Sequence, residues 1–261
     1  MKYTQTQIDL RRKLLSLYYG ANAGHIGSSL SCIDVLIALF GIKTDAERVI
    51  LSKGHAAAAL YCVLNHIGEI DDLTLETFYK NGTKLSAHPS ANSFLNIPFA
   101  LGSLGHGFPI ACGIAQANQL LKNSDYVYVV MSDGDTNEGT TWEAAHYAVA
   151  KKLSNLMVII DKNNLQGFGR TMDILGDTAN NEVWSHIGFE VIEADGHDVA
   201  QFKERLQLLK GSSDKPKLII ANTIKGKGVD YMENKMEWHY LPMNAEQYTQ
   251  ALNSLSTLNN A

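Results

Sequence analysis

Short, continuously apolar runs alternate with amphipathic segments over the second half of the chain. The candidate strands are Tyr126–Met131, Leu156–Ile160, Phe189–Glu193 and Lys217–Ala221, and the candidate crossover helices are Trp142–Lys151, Thr178–His186 and Val199–Leu209. Strands that are apolar throughout are typical of a parallel sheet covered on both faces. We therefore predict a doubly wound α/β fold: a mainly parallel sheet with helices on both faces and a ligand at the carboxyl ends of the strands.

The first half of the chain is predicted to form helices separated by glycine-rich turns. Apolar residues recur at helical spacing on either side of the break at Gly20–Gly27. Two shorter candidate strands, Val49–Leu51 and Ile97–Leu101, precede further glycine-containing turns. The polar tail 243–261 can form one short helix. Because no repeat, low-complexity tract or linker divides the sequence, we expect one domain over residues 1–261.

Composition narrows the classes of partner. The chain has 261 residues, 45% apolar and 19% charged, with a net charge of −5 and no cluster of basic residues, which argues against nucleic acid or a membrane surface. Its most apolar stretch, Leu30–Ile42, contains Asp34 and is too short to span a bilayer. The N-terminal sequence lacks the pattern of a signal peptide, so we expect a cytoplasmic protein. Cys32, Cys62 and Cys112 lie among apolar neighbours, so we expect small buried side chains rather than disulfides.

Two glycine-containing turns precede alanine-rich or small-residue helices. His55 stands at the start of the first such helix, where free N–H groups favour an anion such as phosphate, although a solvated histidine at a helix start explains it equally well. In the second turn, Gly102, Gly105 and Gly107 lack the spacing of a dinucleotide fingerprint, and the chain has no phosphate-binding P-loop motif. Alone, the second turn indicates only that its backbone passes close to another group.

Polar side chains follow two neighbouring candidate strands. Asp133 comes directly after one strand, and Asn163 closely follows the next, 30 residues later, which is the length of one strand–helix–strand unit. The Asp133 carboxylate oxygen and the Asn163 amide oxygen can therefore project from the same edge of the sheet. Together with a backbone carbonyl and a bound diphosphate, they would form a set of oxygen ligands suitable for Mg²⁺ or Ca²⁺. Asp and Asn are also common in turns after strands, so the pair alone leaves a structural role open.

The motif Ser132-Asp-Gly134, with Glu138-Gly139 and Asn163 after it, resembles the signature of thiamine-diphosphate enzymes. The flanking sequence is similar to transketolase from about Leu10 to about His239. The resemblance implies the thiamine-diphosphate-binding fold, with thiamine diphosphate and a divalent metal, Mg²⁺ or else Ca²⁺ or Mn²⁺, as cofactors.

The resemblance also implies roles for individual residues. The metal ligands would be Asp133, Asn163 and the backbone carbonyl of Leu165. The residues contacting the cofactor would be His55 and Gly134 at the diphosphate, Gly102 and Leu104 at the aminopyrimidine, Glu138 towards a partner's catalytic glutamate, and His239. The catalytic histidines would be His25, His88 and His239. Four others match no motif and are expected at the surface or in caps: His66, His146, His186 and His197.

The implied reaction moves a two-carbon ketol unit from a ketose to an aldose, and imidazoles suit it because they shuttle protons near pH 7. Three departures from the family pattern stand in this region. Ser132 replaces a glycine, His106 replaces a glutamine, and Gly167-Phe168 replaces an apolar–acidic pair. They could alter contacts to the cofactor.

Full-length transketolases carry a second domain that binds the aminopyrimidine and provides its catalytic glutamate, and this sequence has no room for it. We therefore expect the N-terminal, diphosphate-binding subunit of a split transketolase, active only with a separate C-terminal subunit in an α2β2 heterotetramer, acting on sugar phosphates. The isolated chain should bind diphosphate and metal weakly. Deoxyxylulose-phosphate synthase and the dehydrogenase E1 components are alternatives, but the histidines and the stretch with Lys225-Gly-Lys-Gly228 and Glu237-Trp-His239 look more like transketolase. A non-catalytic homologue is a further alternative, and the retained metal ligands and histidines argue against it.

Overall fold

The computed structural model describes residues 3–258. Its helices are α1 (Gln5–Ala21), α2 (Ile26–Phe40), α3 (Ala57–His66), α4 (Asp72–Leu75), α5 (Gly107–Leu120), α6 (Gly139–Ala150), α7 (Thr171–Leu175), α8 (Asn181–Ile187), α9 (Val199–Leu209) and α10 (Ala245–Leu258). Its strands are β1 (Arg48–Leu51), β2 (Val127–Ser132), β3 (Leu156–Lys162), β4 (Leu165–Gln166), β5 (Gly169–Arg170), β6 (Glu190–Asp195) and β7 (Lys217–Asn222). Short 3₁₀ turns cover Gly54–Ala56, Gly134–Asn137 and Met236–His239.

Five strands form one parallel sheet in the order β1-β2-β3-β7-β6. Alternate residues of β2 enter two different cores: Tyr128 and Val130 pack on the side of α1, α2 and α3, whereas Val127 and Val129 pack on the side of α5 and α6. A strand buried on both faces needs apolar residues at every position, which is why the central strands are continuously apolar. The expected doubly wound α/β fold with helices on both faces is confirmed.

The ends of β2 and β3 carry the polar residues that the sequence predicts to form a site. Val130 of β2 pairs with Ile159 of β3, and Ser132 pairs with Asp161, so the two strands end level with each other. β4 and β5 form a two-residue hairpin directly after β3. This register brings the residues after each strand to one edge of the sheet.

Some local predictions were wrong. Ile97–Leu101 is not a strand: Ile97 makes only an isolated bridge to Phe94, and Pro98 has no N–H to donate to a sheet. Helix α8 begins at Asn181 rather than Thr178, because the Asn180 side chain accepts a hydrogen bond from the Val183 N–H and caps the helix there. The predicted tail helix forms as α10 and packs on α1, while residues 259–261 lie outside the described residues.

The histidines without a motif divide into two groups. His66, His146 and His186 are exposed, as expected. His197 is 4% exposed and contacts Asp34, so the expectation of a surface or capping residue was wrong. Cys32, Cys62 and Cys112 are buried and free, as predicted. Among residues 3–258, none of the helices has the length and apolar character needed to cross a membrane.

Candidate active site

A cavity of about 250 Å³ opens at the carboxyl ends of β2 and β3. The residues that line it come from the loops after β1, β2, β3 and β7 and from the start of α2. They include His25, Ser28, His55, Leu104, Ser132, Asp133, Gly134, Asn163, Leu165, Gln166, Gly167, Phe168, Lys225, His239 and Tyr240. Most of the residues predicted from the sequence therefore meet at one place.

Asp133 follows the last residue of β2 and is 1% exposed. One carboxylate oxygen accepts a hydrogen bond from the Gly134 N–H at 3.0 Å, and the other accepts from the Thr171 hydroxyl at 2.9 Å. Burial and then the nearby charge of Asp161 raise the pKa of Asp133 to about 6. A carboxylate held in this way is destabilised by its surroundings, and a bound cation would relieve that cost.

Asn163 and Leu165 lie beside Asp133 in the turn that leads from β3 into the hairpin. The Asn163 amide oxygen accepts from the Leu165 N–H at 3.1 Å, and its amide nitrogen lies 3.4 Å from the Ser31 hydroxyl. The Leu165 carbonyl accepts a hydrogen bond from the Lys225 ammonium at 3.1 Å.

These oxygens fit a hard divalent cation better than a soft one. A carboxylate, an amide and a carbonyl oxygen are the donors that Mg²⁺ and Ca²⁺ prefer. No three His, Cys, Asp or Glu side chains converge on a metal-sized space anywhere in residues 3–258, so side chains of these types do not form a complete metal cage there. The remaining ligands would have to come from a bound molecule, and a diphosphate is a suitable source.

Four histidines from four separate segments form a cluster; three of them line the cavity, and His88 lies beside it. The His25 ring centroid lies 5.2 Å from that of His239, 5.7 Å from His55 and 5.9 Å from His88. His25 has a left-handed backbone (φ 74°) at the start of α2, and its N–H donates to the His239 carbonyl at 3.0 Å. A second cavity of about 350 Å³, lined by His25, His55 and His88, opens beside the first.

Burial holds these imidazoles neutral. It lowers the pKa of His25 to about 4 and that of His239 to about 3, and it lowers the pKa of His55 well below 6.5. Neighbouring imidazoles and lysine ammonium groups contribute to these shifts. Neutral imidazoles can both donate and accept hydrogen bonds at pH 7, which is the state required for moving a proton to or from a substrate oxygen.

Sequence reasoning missed two polar side chains in the cavity wall. The Ser28 hydroxyl is buried and has no hydrogen-bond partner within the part of the chain described here. Lys225 is 1% exposed, and burial and the charge of Lys53 lower its pKa to about 8, so it remains largely cationic at pH 7. Its ammonium also donates to Nδ1 of His239 at 2.8 Å, which places the His239 proton on Nε2. A buried hydroxyl with no partner among residues 3–258, beside a buried ammonium group, fits an anionic ligand.

Asp135, also unpredicted, connects the glycine turn to the sheet. Its carboxylate accepts hydrogen bonds from the Ser52 hydroxyl, the Gly105 N–H and the Ser132 N–H at 2.5–2.9 Å. The Ser132 hydroxyl donates to the same carboxylate at 2.7 Å. The serine that replaces a glycine in the family motif therefore has a defined structural partner.

Of the remaining predicted residues, Leu104 lines the cavity, whereas Gly102 and Glu138 do not. Gly102 is exposed and sits beside the His88 ring, while Leu104 contacts the space above Gly134. Glu138 is exposed at the start of α6 and does not line the cavity. Of the departures from the family pattern, His106 is exposed and points back to the Leu104 carbonyl.

The fold and the site define a thiamine-diphosphate-binding α/β protein, because residues 13–257 match the family model described as "Transketolase, thiamine diphosphate binding domain". The chain belongs to the transketolase family. Over 256 residues it is 37% identical to one subunit of the apulose-4-phosphate transketolase of Phocaeicola vulgatus, covering 94% of this chain and 91% of the relative. It is 34% identical to 6-deoxy-6-sulfo-D-fructose transketolase subunit SqwG of a Clostridium species, covering 96% and 95%.

Solved structures agree with this assignment. Transketolase from Campylobacter jejuni matches with a TM-score of 0.85 at 30% identity over 97% of this chain. Transketolase from Leishmania mexicana matches in fold with a TM-score of 0.89 at 24% identity over 98% of this chain. The chain spans only 43% and 42% of those two structures. The predicted family is confirmed, and the family model and these relatives favour transketolase over the other thiamine-diphosphate enzymes considered above.

Proposed function

We propose that this chain, folded as one domain, is the diphosphate- and metal-binding subunit of a two-chain transketolase. The assembled enzyme would transfer a two-carbon ketol unit from a ketose phosphate to an aldose. A separate chain would supply the half of the site that binds the aminopyrimidine. The observation that carries the proposal is a single cavity in which Asp133 and Asn163 face a cluster of neutral histidines. Support comes from relatives of nearly the same length that are themselves named as transketolase subunits.

The metal in this proposal is Mg²⁺, with Ca²⁺ or Mn²⁺ as substitutes. Asp133, Asn163 and the Leu165 carbonyl would hold it. Coordination would relieve the repulsion that Asp133 experiences from Asp161. The Lys225 ammonium would then stay beside the Leu165 carbonyl as a second positive charge.

Thiamine diphosphate, when bound, supplies the electron sink for breaking and forming the carbon–carbon bond. His55, Gly134, Ser28 and Lys225 line the cavity and would bind its diphosphate; the Ser28 hydroxyl has no hydrogen-bond partner within residues 3–258. Leu104 would pack against the aminopyrimidine, with Gly102 in the same turn. The Lys225 ammonium is already held by its hydrogen bonds to the Leu165 carbonyl and to His239 Nδ1, so it needs little reorganisation on binding.

The histidines would handle protons on the substrate side of the cavity. Because Lys225 occupies Nδ1 of His239, Nε2 of that ring carries the proton and can donate to an oxygen on the substrate. His25 and His88 line the adjoining cavity, and they would polarise the substrate carbonyl and accept a hydroxyl proton.

The partner subunit would meet this chain where Glu138, Gly102 and Phe168 are exposed. Glu138 would then pair with the partner's catalytic glutamate, and two copies of each chain would form an α2β2 heterotetramer. We place the protein in the cytoplasm, away from nucleic acid and membrane; its three buried cysteines are free, as in proteins of a reducing compartment.

A titration with thiamine diphosphate and Mg²⁺ tests the proposal. The chain mixed with the product of a neighbouring reading frame that encodes a pyrimidine-binding domain should bind the cofactor in a metal-dependent manner by calorimetry. The Asp133→Asn variant, which keeps the shape but removes the charge, should lose the metal dependence. Equal affinity of the wild type and this variant would contradict the metal assignment, and absence of binding in the mixture would contradict the proposed function.

A further inference from the structure

A buried polar network lies outside the cavity, on the far side of the segment that carries Lys225. Its centre is Asp34, which is 0% exposed and accepts hydrogen bonds from Gln7 at 3.0 Å, Arg11 at 2.8 Å and His197 at 2.9 Å. Burial by itself raises the pKa of Asp34, but the Arg11 charge and the hydrogen bonds from Arg11 and His197 outweigh it and lower the pKa to about 2. Asp34 is therefore a permanent carboxylate.

The tautomer of His197 follows from its two partners. The Ile224 N–H donates to Nε2 of His197 at 2.9 Å, so Nε2 must be the acceptor nitrogen. Nδ1 then carries the proton and donates it to the Asp34 carboxylate. The ring is neutral and connects a buried anion to one backbone N–H.

Asp34 is also linked, through Arg11, to a second backbone position near Lys225. Arg11, which forms an ion pair with Asp34, donates from Nε to the Lys227 carbonyl at 3.1 Å. Ile224 and Lys227 flank Lys225, and we refer to residues 223–228 as the Lys225 segment. Its backbone is thus held on both sides of Lys225 by side chains that Asp34 orients.

The Lys225 side chain crosses from this segment into the candidate active site. Its ammonium donates to Nδ1 of His239 at 2.8 Å and to the Leu165 carbonyl at 3.1 Å. A shift of the backbone at Ile224 would move the ammonium away from both acceptors. The Gly226 N–H adds a further backbone anchor, since it donates to the Gly27 carbonyl at 3.0 Å.

We infer that His197 is a positioning residue, which holds the Lys225 segment through Ile224 and so sets the place of the Lys225 ammonium for an anionic ligand. The inference rests on the proposed function because the anion is taken to be the diphosphate. His197 itself does not line the main cavity, and its role would be to act through Lys225.

Two substitutions separate the links that His197 makes. Asparagine places an amide near the position of Nδ1, so His197→Asn keeps a donor to Asp34 but leaves the Ile224 N–H without an acceptor. Glutamine reaches about as far as Nε2, so His197→Gln restores that acceptor. If His197 were only structural, the two variants would have similar effects on ligand affinity.

The experiment titrates Mg²⁺ with inorganic pyrophosphate into the full chain by calorimetry and follows backbone hydrogen exchange by mass spectrometry. His197→Asn should weaken pyrophosphate affinity about 10-fold and speed exchange in residues 223–228, with β2 unchanged, and His197→Gln should recover most of both. In a Lys225→Met background, His197→Asn should cause no further loss of affinity, because the two residues act through one link.

Three results would overturn the inference. These are unchanged affinity in His197→Asn, exchange that rises equally over the whole chain, and additive losses in the double variant. Absence of magnesium pyrophosphate binding by the wild-type chain, both alone and mixed with the partner chain, would contradict the proposed function instead. Exchange in the Lys225 segment still decides in that case whether His197 holds the segment.

Discussion

The buried ion pair between Lys53 and Asp161 lies directly beneath the candidate metal site and gives the sharpest stability prediction. Both side chains are 0% exposed. Asp161 also accepts hydrogen bonds from the hydroxyls of Ser31 and Thr223, and the Lys53 charge is the main influence that opposes burial and keeps its pKa low. The Asp161→Asn substitution removes the charge and leaves the Lys53 ammonium buried without its direct ion-pair partner, although the Asp133 carboxylate still acts on it from a longer distance.

The expected loss of stability follows from the complete burial of this ion pair. Breaking a fully buried pair by removing one partner typically costs about 3–5 kcal/mol, because the desolvation penalty of the remaining charge is no longer compensated. We expect Asp161→Asn to lower the free energy of unfolding by about that amount. Urea denaturation at pH 7.5, followed by circular dichroism, measures the change.

A matched control exists on the surface. Lys152 and Asp214 also form a lysine–aspartate pair, at 2.8 Å, but their side chains are 73% and 69% exposed. Asp214→Asn should leave the unfolding midpoint unchanged within error, because solvent screens this pair. The double variant Lys53→Met, Asp161→Asn should be less destabilised than the sum of its single variants. A cost of less than about 1 kcal/mol for Asp161→Asn would refute the reasoning.

Three further predictions concern the site. The free energy of unfolding should fall as the pH drops from 6.5 towards 4. Burial lowers the pKa of His25 to about 4, so the unfolded chain binds more protons than the folded chain in that range. The His25→Asn variant should show a smaller fall in urea midpoint over this range, and asparagine tolerates the left-handed backbone at this position. Gly54→Ala should lower the melting temperature, because the added methyl group would lie 2.1 Å from a backbone oxygen. In contrast, the methyl group of Gly113→Ala in α5 would meet nothing within 4 Å, and this variant should be more stable by about 0.5–1 kcal/mol. His239→Gln should lower kcat of the assembled enzyme about 100-fold by steady-state kinetics, with little change in Tm.

Each of these has a clear contrary outcome. An unchanged pH slope in His25→Asn would mean that this histidine is not held neutral by burial. Equal melting temperatures of the two glycine variants would contradict the close packing at Gly54. A large drop in Tm for His239→Gln would show that the ring mainly supports the fold.

The sheet and the juxtaposition of Asp133 and Asn163 could be predicted because their signals are local. The runs in β2 and β3 are apolar at every position, and only a strand covered on both faces requires that. Asp133 and Asn163 follow such strands at the spacing of one strand–helix–strand unit, so their meeting point follows from topology. The histidine cluster, in contrast, was expected only through the resemblance to transketolase.

The parts that could not be predicted depend on contacts between distant segments. His197 gave no motif because its partners, Asp34 and Ile224, are 163 and 27 residues away in the chain. Ser28 was overlooked because its significance lies in the absence of a partner in the described fold. Ile97–Leu101 is apolar enough for a strand, but its proline prevents regular pairing, and this signal was available in the sequence.

Ketol transfer by two complementary chains is the activity that we propose, with this chain supplying the diphosphate half of the site. The direct measurement is the rate of transfer between a ketose phosphate and an aldose phosphate, with thiamine diphosphate and Mg²⁺, for each purified chain and for their mixture. We predict activity in the mixture and none in either chain alone, and its loss on Asp133→Asn. Full activity from this chain by itself, or none in a mixture that binds the cofactor, would contradict the proposal.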